Sequence, residues 1–89
     1  MKQGRILVVD DNKNVLSALK VLLNAHFEEV TLLSSPNALL STLRERMPDV
    51  VLLDMNYSAG INTGNEGLYW LSEVKKVNPD LPVVLFTAY

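Results

Sequence analysis

The sequence predicts an α/β fold, a doubly wound parallel sheet with helices on both faces. Short apolar runs of strand length alternate along the chain with segments whose apolar residues recur at helical spacing. The apolar runs contain no polar alternation, which is typical of strands buried on both faces of a parallel sheet. Carboxylates stand at the ends of the first and third runs, at Asp10-Asp11 and Asp54, and the hydroxyl residue Thr87 follows the fourth. In this fold class the carboxyl ends of the strands meet at one edge, where binding sites lie.

Four strands and three helices are expected. The strands cover residues 6–9, 30–33, 49–54 and 81–86. The first helix is capped by Asp11 or Asn12 and extends to about Ala25. The second helix starts at Ser35-Pro36 and ends at Pro48, with apolar residues on one side. The apolar residues of the second helix are Leu39, Leu40, Leu43 and Met47. Those of the third helix are Leu68, Leu71 and Val74, with Trp70 and Val77 beside them.

Length and composition limit the possible functions. With 89 residues, the chain is at most one small domain, spanning residues 1–89. A net charge of −2 and the lack of any basic run argue against direct nucleic-acid binding by this segment. The sequence has no cysteine, so disulfides and thiolate metal sites are excluded. The apolar runs are too short to cross a membrane, and no signal peptide begins the chain, so a cytoplasmic protein is expected.

Acidic side chains at the strand ends suggest a metal site. Asp10 and Asp11 follow the first strand, Asp54 ends the third and Thr87 follows the fourth. Three carboxylates in one pocket repel each other unless a cation joins them, and Mg²⁺ accepts such oxygen ligands. A backbone carbonyl just after Asp54 can supply a further oxygen. With a cation bound, Asp54 can act as a nucleophile toward phosphorus, and the Thr87 hydroxyl can bond a phosphoryl oxygen.

The chain resembles the receiver domains of two-component response regulators, the CheY-like superfamily. The resemblance spans all 89 residues and three motifs in the family's order: a first strand with an acidic pair, a third strand with the phosphoacceptor, and a fourth strand with the switch hydroxyl. The corresponding segments are Ile6-Leu7-Val8-Val9-Asp10-Asp11, Asp49-Val50-Val51-Leu52-Leu53-Asp54 and Leu85-Phe86-Thr87-Ala88.

The resemblance implies a flavodoxin-like sheet with strand order 2-1-3-4. It implies that Asp10, Asp11, Asp54 and the backbone carbonyl of Asn56 hold Mg²⁺. Asp54 would accept a phosphoryl group from a sensor histidine kinase. Thr87 would turn toward the phosphate and the amide of Ala88 would contact it. The domain would then be a switch, not an enzyme beyond its own phosphorylation and dephosphorylation.

Two departures from the family pattern stand out. The loop after Asp54, residues 55–67, is longer than usual, lacks the family's proline and has Glu66-Gly67 where the family has Asp-Gly. It is similar to the loop of receivers joined to sigma-54 activators, which implies an ATPase and a DNA-binding module in the same protein.

The second departure is that the family's fifth strand, its lysine and its last two helices would all follow Tyr89. We therefore expect either a longer protein or self-association through the exposed fourth strand, giving a possible homodimer. Lys75 and Lys76, in the third helix, cannot replace the missing lysine.

Other functions remain open on the sequence alone. A flavodoxin-like cofactor binder would need a phosphate-cradling first loop, but Asp10-Asp11 is acidic. A phosphatase would need Asp-x-Asp at that position. A docking module that uses the fold without phosphorylation is the main alternative.

Several other residues have simpler structural explanations. His26 is best explained as a surface or capping residue, Trp70 and Tyr69 as packing residues, and Glu28-Glu29 and Lys75-Lys76 as solvated charges.

Overall fold

The computed structural model describes residues 4–54 and 65–86 of the chain. Strands and helices alternate along it, as the sequence predicts. The elements are β1 (Arg5–Val9), α1 (Lys13–Asn24), β2 (Glu29–Leu33), α2 (Leu39–Glu45), β3 (Val50–Asp54), α3 (Asn65–Val77) and β4 (Val83–Phe86), with a short 3-10 helix (Pro36–Ala38) before α2.

The four strands form one parallel sheet in the order β2-β1-β3-β4. This order confirms the predicted fold class. In the register of the sheet, Val9 of β1 lies beside both Leu33 of β2 and Leu53 of β3. The carboxyl ends of three strands therefore lie together. Among the described residues β4 pairs only with β3, and Val84 is half-exposed.

Side chains of β1 alternate between two apolar clusters. Leu7 and Val9 belong to the larger cluster, which includes buried residues of α2 and α3, whereas Ile6 and Val8 pack with Leu16 of α1. Helices thus cover both faces of the sheet, and every β1 residue from Ile6 to Val9 is buried. This explains why the sequence of the strand is continuously apolar.

The opposite, amino-terminal edge of the sheet is held by polar contacts. The amide of Arg5 donates a 2.7 Å hydrogen bond to Asp49 Oδ2, and its guanidinium lies 3.4 Å from Glu29 Oε2. Arg46 donates a 2.8 Å bond to the same Glu29 oxygen. Gly4 has φ +75, which favours glycine. These contacts join β1, β2 and the start of β3, so Glu29 is more than the solvated charge that the sequence suggested.

The second and third helices differ in detail from the sequence prediction. α2 ends at Glu45, so the prediction that Met47 lies on its apolar stripe is wrong. The backbone of Arg46 is not helical, with φ −144 and ψ 89. Helical backbone is also unfavourable at Met47, because Met47 precedes Pro48. In α3, Leu71 and Val74 pack into the larger cluster as expected, but Leu68 is half-exposed.

Candidate metal site

Two buried aspartates lie at the carboxyl edge of the sheet. Asp10 follows β1, and its amide donates a 3.0 Å hydrogen bond to the carbonyl of Leu33, so the sheet still holds its backbone. Asp54 is the last residue of β3 and lies beside Phe86 of β4. Their exposed fractions are only 1% and 4%. Carboxylates are seldom buried this deeply unless they are paired or coordinate a metal.

The structure brings three carboxylates together. Asp11, which is exposed, joins Asp10 and Asp54, and one oxygen of each residue lies within 4.8 Å of the others. They come from two strands that are far apart in sequence, and the parallel register places their ends side by side. Like charges at this separation repel, especially where two of them are shielded from water. A single divalent cation can lie within reach of all three.

The two oxygens of Asp10 have different surroundings. Oδ1 accepts a 2.9 Å hydrogen bond from the amide of Asn12. Oδ2 is buried and accepts no hydrogen bond from the part of the chain that the structure describes. Such an oxygen is costly to bury, and it is the type of ligand that Mg²⁺ prefers. The residues at this edge therefore fit a magnesium ion bound by oxygen ligands.

Asn12 is the residue that caps α1. Its side-chain oxygen accepts hydrogen bonds from the amides of Asn14, at 2.9 Å, and Val15, at 3.3 Å. The sequence left the choice between Asp11 and Asn12 open, and the structure selects Asn12. The sequence did not reveal that the Asn12 amide also bonds Asp10, although a polar pair two residues apart is the usual signal of such a turn.

The remaining predicted site residues lie outside the described residues. They are Asn56, Thr87 and Ala88, and most of the long loop after Asp54 is also outside. Glu66 and Gly67 lie within α3. β4 ends at Phe86, which pairs with Asp54 in the sheet. Thr87 is the next residue in the chain.

The two lysines of α3 are engaged elsewhere. Lys75 donates hydrogen bonds to the carbonyls of Leu81, at 2.6 Å, and Pro79, at 3.4 Å. Lys76 bonds Glu73 at 2.9 Å, and this contact raises the pKa of Lys76. Both lie near the end of α3, at the opposite edge of the sheet from the carboxylates. Lys75 is therefore not simply solvated, and neither lysine reaches the acidic cluster.

The chain is similar in sequence to known transcription regulators. The chain is 37% identical over 84 residues to the transcriptional regulatory protein ZraR of Escherichia coli O157:H7, covering 94% of the chain and 18% of that protein. It is 32% identical over 89 residues to the DNA-binding transcriptional regulator NtrC of Salmonella typhimurium, covering 100% of the chain and 18% of that protein. The chain thus spans less than a fifth of these curated relatives.

A solved structure is also similar. The N-terminal signal receiver domain of a two-component response regulator from Bacteroides fragilis is 58% identical with a TM-score of 0.81, over 96% of this chain and 66% of that one. Within the described residues, no helix is long and apolar enough to cross a membrane. The profile of the response regulator receiver domain matches residues 6–89. The chain therefore belongs to the response regulator receiver domain family.

Proposed function

We propose that the chain is the phosphoacceptor switch of a two-component system. Asp54 accepts a phosphoryl group from a sensor histidine kinase while Asp10, Asp11 and Asp54 hold Mg²⁺. One observation carries the proposal: three carboxylates from two strand ends lie within 4.8 Å of one another. It is supported by Asp10 Oδ2, which is buried without a hydrogen-bond partner among the described residues. A cation satisfies that oxygen and offsets the repulsion.

The reaction is a transfer between two nucleophiles. A carboxylate oxygen of Asp54 forms a bond to phosphorus, the bond between phosphorus and the kinase imidazole nitrogen breaks, and that nitrogen keeps the electron pair. The product is an acyl phosphate. Mg²⁺, when bound, neutralises charge on the phosphoryl oxygens. Asp54 belongs to a strand paired on both sides, so the backbone that carries its carboxylate is held in place.

Three further residues complete the proposed site. The backbone carbonyl of Asn56 is a metal ligand, the hydroxyl of Thr87 bonds the phosphoryl group and the amide of Ala88 contacts it. The pairing of Phe86 with Asp54 supports this assignment, because the chain leaves β4 directly beside the acceptor. Movement of Thr87 toward the phosphate would shift the domain between two conformations.

The relatives support a proposal about the wider role. They are transcription regulators several times longer than this chain. We propose that the domain controls a transcription output in the same protein, in the cytoplasm, with a sigma-54-interacting ATPase and a DNA-binding module as the output. The chain's own chemistry is confined to its phosphorylation and dephosphorylation.

The test is phosphoryl incorporation from acetyl phosphate with and without Mg²⁺, followed by mass spectrometry. Wild-type protein should gain one phosphoryl group, located at Asp54, only when Mg²⁺ is present. Asp54→Asn should gain none. Asp49→Asn is the matched control, because Asp49 lies just before the opposite end of the same strand and bonds the Arg5 amide instead. Equal incorporation in Asp54→Asn and wild type would overturn the assignment.

The same experiment distinguishes the phosphoacceptor switch from the main alternative. A docking module that uses the receiver fold without phosphorylation would bind Mg²⁺ at the carboxylate cluster and take up no phosphoryl group. Binding can be measured by calorimetry on the same preparations. Magnesium binding without incorporation would favour the docking module.

A further inference from the structure

Asn12 links the first turn of α1 to the carboxylate cluster through two sets of hydrogen bonds. Its side-chain oxygen accepts bonds from the Asn14 and Val15 amides, at 2.9 and 3.3 Å. Its carbonyl accepts a 3.1 Å bond from the amide of Leu16, a buried residue of α1. These bonds hold the Asn12 backbone at φ −90 and ψ 109. The position of its own amide is therefore set by the helix.

That amide determines how Asp10 presents its carboxylate. It donates a 2.9 Å hydrogen bond to Asp10 Oδ1. Because the two oxygens of a carboxylate are rigidly joined, holding Oδ1 also sets the direction of Oδ2. Oδ2 is the buried oxygen that has no hydrogen-bond partner among the described residues, and Asp10 belongs to the acidic cluster. A contact of this kind, to the atom beside a metal ligand, commonly tunes metal affinity.

We propose that Asn12 is a positioning residue for the divalent cation, acting through Asp10. The inference rests on the proposed function. The side chain of Asn12 anchors the turn to α1, and the amide of Asn12 aims Asp10 Oδ2 at the cation. Asparagine provides this cap without adding a fourth negative charge to three nearby carboxylates, whereas an aspartate cap would add one.

The experiment compares Asn12→Ala with a matched cap variant, Ser35→Ala. Ser35 caps the 3-10 helix by accepting a 3.2 Å hydrogen bond from the Asn37 amide. Both variants lose a side-chain cap, but only the first lies in the turn that bonds Asp10. Magnesium dissociation constants are measured by calorimetry, and folding is checked by circular dichroism and urea unfolding. Comparing the two variants distinguishes a loss of helix stability from a loss of ligand orientation.

Asn12→Ala should raise the magnesium dissociation constant by about tenfold, the lower end of the range for contacts behind a metal ligand. Ser35→Ala should leave it unchanged. Asn12→Ser, which restores a neutral cap, should return the constant close to the wild-type value. In metal-free protein, hydrogen exchange at the residue 12 amide should be faster in the alanine variant, which gives a readout independent of bound metal.

Asn12→Gly is a second variant, to be used if Asn12→Ala does not fold. Glycine is well tolerated at this helix position but lacks the side-chain oxygen, so it should also weaken magnesium binding. An unchanged constant in both the alanine and glycine variants would overturn the positioning role and leave the proposed function intact. An equal loss in Ser35→Ala would overturn it too. A wild-type protein without saturable magnesium binding would overturn both proposals.

Discussion

Replacing Asp10 with asparagine should stabilise the metal-free protein. In the wild type, Asp10 Oδ2 is buried without a hydrogen-bond partner among the described residues, and two more carboxylates lie within 4.8 Å. An unsatisfied buried polar atom costs roughly 1–3 kcal/mol. Asparagine removes the charge, retains an oxygen for the Asn12 amide, and places an N–H donor where Oδ2 was, near the carboxylates of Asp11 and Asp54. We therefore expect Asp10→Asn to raise the free energy of unfolding by about 1–2 kcal/mol in a chelator.

Magnesium should reverse the order of stability. At about 100 times its dissociation constant, a ligand that binds only the folded state adds about 2.7 kcal/mol to the free energy of unfolding. The wild type should gain this increment, whereas Asp10→Asn, which has lost one ligand, should gain little. The substitution thus exchanges metal binding for intrinsic stability.

Urea unfolding followed by the fluorescence of Trp70 is a suitable assay. Trp70 is the single tryptophan and packs against the larger apolar cluster. With a slope of about 1 kcal/mol/M, the urea midpoint of Asp10→Asn in chelator should lie roughly 1–2 M above that of the wild type. Asp49→Asn, the control outside the cluster, should show no such gain and should keep the magnesium response. A destabilised Asp10→Asn in chelator, or one with the full magnesium response, would refute the reasoning.

Three further predictions concern stability. Gly4→Ala should lower the free energy of unfolding by at least about 1 kcal/mol, because Gly4 has φ +75 and an added Cβ would lie 2.8 Å from Asp49 Oδ2; urea unfolding tests this, and an unchanged midpoint would contradict it. Leu39→Ala removes a side chain with 0% exposure and should cost about 2–5 kcal/mol by the same assay, so a loss below 1 kcal/mol or so would be inconsistent with a closed core. Lys75→Met keeps the aliphatic stem but loses the 2.6 Å bond to the Leu81 carbonyl, and it should cost about 1 kcal/mol. Calorimetry should show unchanged magnesium affinity in Lys75→Met, and weakened binding would argue against the separation of Lys75 from the site.

The sheet was the most predictable part of the structure. β1 is buried on both faces, and β3 is buried on one face and partly buried on the other, so their sequences are continuously apolar and are easily recognised. The carboxylates follow from the same pattern, because parallel strands bring residues that follow Val9 and Leu53 to one edge. The convergence of Asp10 and Asp54 could therefore be inferred from local sequence and a fold rule.

Helix ends and long-range polar contacts were less predictable. The helical spacing of the second helix extends to Met47, but the backbone leaves the helix at Arg46, ahead of Pro48. Contacts such as Arg46 with Glu29 depend on where separate elements pack, and no local pattern encodes them. Charged residues that are adjacent in the sequence are therefore interpreted as solvated, and their partners are identified only in the three-dimensional structure.

The difference between the two oxygens of Asp10 also required the structure. The sequence indicates an aspartate at the end of a buried strand, but not which of its oxygens the Asn12 amide engages. That detail depends on side-chain orientation and on the start of α1. It separates an aspartate that merely ends a strand from one with an oxygen available for a cation.

The most direct test of the shared-cation claim is a crystal structure of the protein with Mg²⁺, with Mn²⁺ as an anomalous substitute. We predict one ion at the carboxyl edge of the sheet, with Asp10, Asp11 and Asp54 each contributing to its coordination, directly at about 2.1 Å or through a bound water. An ion found elsewhere, or no ion at the three carboxylates under saturating metal, would contradict the account.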